Sequence, residues 1–85
     1  MEKWLLLKQA RSIMKLTQAE MGKLMSVDLQ EVSKWERDVV KLPDSRIHQL
    51  KDYYEDATGD KELFSDIIKK IMSEEYRLKN KKVRR

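Results

Sequence analysis

Four polar side chains near the middle of the chain lie on one face of a predicted helix and have the chemistry to bind DNA bases. Successive residues of an α-helix are rotated by about 100°, and on this basis the four side chains fall within an arc of about 100°. The four are Gln30, Ser33, Lys34 and Arg37. Lys is suited to the acceptors of guanine, and Gln is suited to adenine. This face therefore predicts contact with the edges of base pairs.

The opposite side of the same helix is the side that would pack inward. Val32 and Trp35 lie on it, and Leu29 lies at its margin. Glu36 is the only charged residue of this inward set, and a buried carboxylate needs a partner. A guanidinium is well suited to that role, because its forked donors match the two carboxylate oxygens.

Two helix-start signals, only eleven residues apart, bound the helices in this region. Thr17 is followed three residues later by Glu20, and Asp28 is followed three residues later by Glu31. Each pair has the spacing of a capping box, in which the first side chain accepts from a backbone amide and the Glu bonds back. The signals predict a helix that ends near Met25, a tight turn, and a second short helix that ends near Glu36 or Arg37. This arrangement is a helix-turn-helix, whose second helix enters the major groove of duplex DNA.

Three further helices complete an expected all-α fold. The first is predicted from about Lys3 to Met14, and the fourth starts at Asp44, directly after the only proline. A break at 57–59 separates the fourth helix from a fifth, which starts at the Asp60 cap and reaches at least Leu78. We expect three parts: a DNA-binding domain over 1–56, an extended amphipathic helix over 57–78, and a basic tail over 79–85.

The predicted fifth helix has an unusually wide apolar face of roughly 200°. The residues expected to form a dimer or partner surface there are Leu63, Phe64, Ile67, Ile68, Ile71, Met72 and Tyr76. A small domain has little interior to offer, so this width favours a second apolar partner. The alternative is a helix packed deeply into its own core.

Charge is distributed unevenly along the 85 residues, whose formal net charge is +4. Residues 1–51 carry +3, residues 52–75 carry −5 and residues 76–85 carry +6. Basic ends around an acidic middle suit a polyanion that is contacted by separate surfaces. Solubility and a solvated tail explain the same pattern equally well.

Taken in order, the motifs resemble the lambda-repressor-like, Cro-type (XRE) helix-turn-helix family of bacterial and phage DNA-binding proteins. The resemblance covers about residues 5 to 54. The matching residues are Leu7, Arg11, Leu16-Thr17-Gln18-Ala19-Glu20, Leu24, Val27, Val32-Ser33-Lys34-Trp35-Glu36, Pro43, Ile47 and Leu50. The resemblance implies a lambda-repressor-like five-helix bundle with an extended C-terminal helix. It also implies a transcriptional regulator, most simply a repressor from a bacterium, phage or mobile element. Such proteins commonly bind inverted repeats as homodimers.

The resemblance also implies roles for individual residues. It places Leu29, Gln30, Ser33 and Lys34 at base-reading positions. It places Gln18, Lys23, Arg37 and Lys41 at the phosphates, and it makes Arg11 and Glu36 a structural pair that orients the third helix. The chain departs from the family at Ser26 and Asp38, where Gly is common, and a left-handed backbone there costs free energy. Gly22 lies inside the second helix, where the family has small residues because two helices cross closely.

Other functional classes find little support in the residues. The single histidine, His48, the absence of cysteine and the lack of a Gly-rich phosphate loop predict no enzyme, metal, cofactor or small-molecule substrate. No membrane-spanning run or secretion signal is present, so a cytoplasmic, nucleoid-associated protein is expected. The remaining alternative is an antitoxin or protein-binding adaptor of the same fold, whose fifth helix contacts a different protein.

Overall fold

The computed structural model describes residues 2–83, which form five α-helices and no strand within that range. The helices are α1 (Lys3–Ile13), α2 (Gln18–Met25), α3 (Leu29–Glu36), α4 (Asp44–Thr58) and α5 (Ser65–Val83). The expected all-α class is confirmed, and the first four helices lie within a few residues of their predicted bounds.

The N-termini of α2 and α3 are capped by the predicted side chains. Thr17 Oγ1 accepts from the Glu20 amide at 3.1 Å, and Glu20 Oε1 accepts from the Thr17 amide at 2.8 Å, so α2 has the full capping box. At α3, Asp28 Oδ1 accepts from the Glu31 amide at 2.9 Å. The reciprocal bond from the Glu31 side chain, which the spacing predicted, is not among the bonds of α3.

Helices α1 to α4 enclose one apolar core, to which Phe64 and the first half of α5 contribute. Its buried side chains are Leu6, Leu7, Ala10, Met21, Met25, Val32, Trp35, Leu42, Ile47, Leu50, Tyr54, Phe64 and Ile71. Burial of this apolar surface holds α2 and α3 in place, since helices of eight residues are marginal by themselves. The core therefore positions the short helices that carry the polar face.

Three non-glycine residues adopt left-handed backbone conformations directly after helices. Ser26 has φ 61° and Asp38 has φ 60°, at the two positions where the resemblance raised this possibility. Lys15, after α1, has φ 61° and was not anticipated. Each costs roughly 1 kcal/mol relative to glycine and shortens the connection between consecutive helices.

Gly22 lies where α2 approaches the turn that leads into α3. A Cβ atom at this position would lie 2.7 Å from the Val27 carbonyl oxygen and 3.2 Å from the Asp28 carbonyl carbon and oxygen. All three are backbone atoms, so rotation of a side chain cannot relieve the overlap. This close approach to the turn before α3 explains why a small residue suits the position.

We expect Gly22→Ala to lower the free energy of unfolding by about 1–3 kcal/mol, because the turn before α3 must shift to admit the methyl group. Helix propensity alone would give the opposite sign, since Ala is favoured over Gly by about 1 kcal/mol. Urea denaturation measures the difference. Ala19→Gly, at an exposed position of the same helix, is the control for propensity. A stabilised Gly22→Ala protein would show that the turn yields without cost.

Helix α5 begins later than the sequence predicted. Asp60 does not cap it: Asp60 Oδ2 accepts from the Tyr54 hydroxyl at 2.7 Å, and Oδ1 accepts from the Glu62 amide at 2.9 Å. These bonds hold a turn that places Phe64 in the core against Tyr54, and α5 starts only at Ser65. The Tyr54 hydroxyl, helped by the Glu62 amide, lowers the pKa of Asp60, and burial raises that of Tyr54.

The apolar residues assigned to a partner surface therefore divide into two sets. Phe64 and Ile71 are buried in the chain's own core, which corrects their assignment to an external surface. Leu63, Ile67 and Ile68 are half-buried against the same core. Met72 and Tyr76 form the second set, and their side chains are 56% and 67% exposed at the surface. Leu63 and Phe64 also precede α5 instead of lying on it.

Helix α5 was predicted to reach at least Leu78, and it continues to Val83. The last two residues of the predicted basic tail, Arg84 and Arg85, lie outside the described residues.

Candidate nucleic-acid interface

The outward face of α3 presents polar side chains at the surface of the molecule. Gln30 and Lys34 are exposed, and Ser33 is half-buried. Leu29 is 43% exposed at the N-terminal end of the helix. The structure thus brings the four predicted base-reading residues together on one accessible surface, with amide, hydroxyl and ammonium groups beside a single apolar side chain.

Arg37 borders this face at the C-terminal end of α3. Its Nε donates to Ser33 Oγ at 3.2 Å, so the guanidinium folds back along the helix. The bond orients the arginine toward the polar face and uses one of its five donors. The others remain available to a second acceptor such as a phosphate.

The inner side of α3 is held rigidly. Val32 and Trp35 are buried in the core. Arg46 of α4 places its guanidinium 5.8 Å from the centre of the Trp35 ring. The same group donates to the Met25 carbonyl at 2.7 Å and to Gln49 Oε1 at 2.8 Å. Arg46 therefore ties α4 to both the end of α2 and the back of α3.

Sequence reasoning missed the role of Arg46. An arginine two residues into a predicted helix is ordinary, and nothing in the pattern shows that it reaches a carbonyl 21 residues away. The Trp35 ring on the inward face was the one available signal, because arginine stacks on aromatic rings.

The predicted pair of Arg11 and Glu36 is present and has forked geometry. Arg11 Nε donates to Glu36 Oε2 at 2.6 Å, and Nη2 donates to Oε1 at 3.1 Å. The Glu36 side chain is 4% exposed and that of Arg11 is 20% exposed. Arg11 Nη1 also donates to the Leu16 carbonyl at 2.9 Å. Hydrogen bonding to Glu36 raises the pKa of the Arg11 guanidinium.

Gln18 joins this cluster. Its Nε2 donates to Glu36 Oε1 at 3.0 Å, so one carboxylate connects α1, the start of α2 and the end of α3. The resemblance placed Gln18 at a phosphate, but its side-chain amide nitrogen is already bound within the protein. The second N–H of Nε2 and the backbone amide at the first position of α2 are the donors that Gln18 still offers to an anion.

The two lysines predicted to contact phosphates, Lys23 and Lys41, differ in their surroundings. Lys23 is exposed in the last turn of α2. Lys41 is exposed in the loop between α3 and α4, and its Nζ lies 3.2 Å from both carboxylate oxygens of Asp38. Asp38 thus neutralises one of the cations at the edge of the α3 face.

No group of three or more His, Asp or Glu side chains among the described residues is arranged to hold a metal ion. None of the helices, over the part of the chain described, is long and apolar enough to cross a membrane.

Comparison with known proteins adds no relative. No family model, no curated protein and no solved structure matches the chain.

Proposed function

We propose that this chain is a sequence-specific regulator of transcription that binds double-stranded DNA. In this proposal α2 and α3 form a lambda-repressor-like helix-turn-helix, and α3 enters the major groove. The observation that carries it is the contrast between the two sides of α3: Gln30 and Lys34 are free at the surface, while Val32 and Trp35 are buried. Exposed hydrogen-bonding groups on a rigid helix are what base recognition requires.

The cluster around Glu36 supports the same proposal. A carboxylate buried between α1, α2 and α3 fixes the position of α3 relative to the start of α2. In a helix-turn-helix the first of these helices contacts the DNA backbone while the second contacts bases, so their relative position determines the register. Lys23, Arg37 and Lys41 would then contact phosphates on either side of the groove.

As in the resemblance, we propose a homodimer that binds an inverted repeat, with the α3 helices about 34 Å apart. The simplest role in this proposal is that of a transcriptional repressor in the bacterial cytoplasm. Its gene would belong to the chromosome, a phage or a mobile element. Neither an enzymatic activity nor a cofactor forms part of this proposal.

Selection of bound duplexes from a random DNA pool, followed by sequencing, tests the function directly. An inverted repeat with half-sites one helical turn apart is the expected result. Enrichment of a single half-site would retain DNA recognition and remove the dimer. The absence of any enriched sequence at moderate salt would overturn the proposal.

The ion pair between Asp38 and Lys41 gives a prediction about the phosphate contacts. We expect Asp38→Asn to increase DNA affinity about twofold to tenfold and to steepen the dependence of log K on log salt by up to about one phosphate contact. Asn tolerates a left-handed backbone as Asp does, so the turn is retained. Binding isotherms at several salt concentrations measure both effects.

Asp52→Asn is the matched control for this change, because it removes the same charge from α4, where Asp52 accompanies Lys51. It should change the affinity less than Asp38→Asn does. Equal effects of the two variants would show that net charge, not release of Lys41, is responsible.

A second candidate is an antitoxin or adaptor that uses α5 to contact another protein. The exposed Met72 and Tyr76 are the observation in its favour. Purification in a stoichiometric complex with a different protein, made from a neighbouring gene, would support it. A protein that purifies as a homodimer would favour the simple regulator.

A further inference from the structure

One arginine at the start of α4 contacts both α2 and α3 from behind. Arg46 Nη1 donates to the carbonyl oxygen of Met25, the last residue of α2, at 2.7 Å. The guanidinium carbon lies 5.8 Å from the centre of the Trp35 ring, on the buried side of α3. Nη1 also donates to Gln49 Oε1 at 2.8 Å, so the guanidinium is held in one orientation. Arg46 therefore joins the end of α2 to the back of α3 without belonging to either helix.

The position of Arg46 within its own helix does not explain it. Arg46 is the third residue of α4, and the N-terminus of a helix carries a positive partial charge that disfavours a cation. The last carbonyl groups of α2 carry the opposite partial charge and lack partners within their own helix. The bond to Met25 thus brings the cation to the favourable end of a neighbouring helix. Its benefit lies in the contact between helices and not in α4.

The orientation of the Trp35 ring also involves this arginine. Trp35 Nε1 is buried, and no atom among the described residues accepts a hydrogen bond from it. A guanidinium within about 6 Å of an aromatic ring is attracted to its face. Apolar packing and Arg46 are therefore what hold the ring. A shift of Trp35 would move the polar face with it, because α3 is a single helix of eight residues.

We propose that Arg46 is a positioning residue on which the DNA sequence preference of α3 depends. Gln18, the first residue of α2, is bound to Glu36 of α3. Arg46 connects the last residue of α2 to Trp35 of the same helix. A helix that is held at one end can swing about that point, whereas a helix that is held at both ends cannot. The proposal rests on the proposed function and deepens it, because it names a residue outside α2 and α3 that controls recognition.

Sequence preference is more sensitive than the fold to a small tilt between α2 and α3. In a helix-turn-helix the first helix meets the DNA backbone while the second contacts bases. A tilt therefore displaces the base contacts relative to the phosphate contacts. Direct readout requires donors and acceptors within about 0.5 Å of their productive positions. A tilt that the core tolerates can still remove the discrimination between DNA sequences.

Replacing Arg46 with methionine removes the guanidinium and keeps an apolar side chain of similar length. We expect the ratio of affinities for the selected and scrambled duplexes to fall about threefold to tenfold at temperatures well below the melting point. The dependence of log K on log salt should stay as in the parent, because a residue behind α3 contacts no phosphate. Arg46→Lys keeps a donor without the planar group and should lie between the two. Competition binding at several salt concentrations measures both quantities.

Two variants of α4 are matched controls. Lys51→Met removes one positive charge from the same helix, at a site where the lysine contacts Asp52 and Glu55. Tyr54→Phe removes the hydrogen bond to Asp60 and so weakens the α4–α5 connection instead of the contact with α2. Both should leave the affinity ratio unchanged. An equal fall of the ratio in Tyr54→Phe would assign the effect to stability in general and overturn the proposal.

A measurement without DNA separates failure of this inference from failure of the proposed function. In a Trp4→Phe background Trp35 is the only tryptophan, and Arg46→Met should change its emission because the charge beside the ring is lost. A changed emission with an unchanged affinity ratio would reduce Arg46 to a structural role, and a flatter salt dependence would make it a phosphate contact; either result overturns the positioning role. If the parent protein enriches no DNA sequence, the proposed function fails and the inference falls with it, whatever the emission shows.

Discussion

Replacing Glu36 with alanine is expected to lower the free energy of unfolding by about 3 kcal/mol. The change removes the acceptor of three hydrogen bonds, two from Arg11 and one from Gln18. It leaves the Arg11 guanidinium, whose side chain is only 20% exposed, without its counter-charge. Breaking a buried pair by removing one partner typically costs 3–5 kcal/mol, and the partial exposure of Arg11 places this case near the lower limit. Chemical denaturation monitored by the fluorescence of the two tryptophans, Trp4 and Trp35, measures the loss.

Two further variants separate the ion pair from the general effect of a glutamate in α3. Glu31→Ala alters a half-exposed carboxylate of the same helix and should change stability by no more than about 0.5 kcal/mol. Arg11→Met combined with Glu36→Leu replaces both charges by apolar groups and should recover much of the loss. An unchanged midpoint for Glu36→Ala would mean that the pair does not contribute to stability.

The caps of α2 and α3 and the buried side of α3 could be predicted from sequence because they depend on local chemistry. Thr17 and Asp28 accept hydrogen bonds from amides three residues away, and the alternation of apolar and polar residues in α3 determines which side is buried. The partner of Glu36 was harder to find, since Arg11 is 25 residues distant. It was assigned by family resemblance, whereas the inward position of Glu36 showed only that some cation was needed.

The α4–α5 connection shows where local signals fail. Asp60 has the type and position of a helix cap, but the hydroxyl of Tyr54 binds its carboxylate and the chain turns instead. That competition depends on tertiary packing, which a capping pattern does not contain. The wide apolar face of residues 63–76 likewise combines residues that pack into the core with residues that are exposed to solvent. Phe64 and Ile71 serve the core, and only the burial of each residue shows that Met72 and Tyr76 do not.

Substitution of both Gln30 and Lys34 by alanine should lower the preference for a selected DNA sequence by on the order of a hundredfold. Each well-placed contact with a base edge contributes about 1–3 kcal/mol of discrimination, and both side chains are exposed on α3. Neither is in the core, so helix content and melting temperature should stay close to those of the parent. Competition between the selected duplex and a scrambled duplex measures the ratio of affinities.

Loss of charge by itself weakens binding to every duplex, and a matched pair of substitutions corrects for it. Lys8→Ala with Gln9→Ala removes the same two residue types from α1, where Lys8 is exposed and Gln9 half-exposed. This control should weaken binding to selected and scrambled duplexes alike, because uniform phosphate attraction carries no sequence information. In the variant that lacks Gln30 and Lys34, by contrast, the ratio of the affinities for the selected and scrambled duplexes should fall. If the ratio instead survived in that variant, base recognition would have to come from another surface, and α3 would be a structural helix.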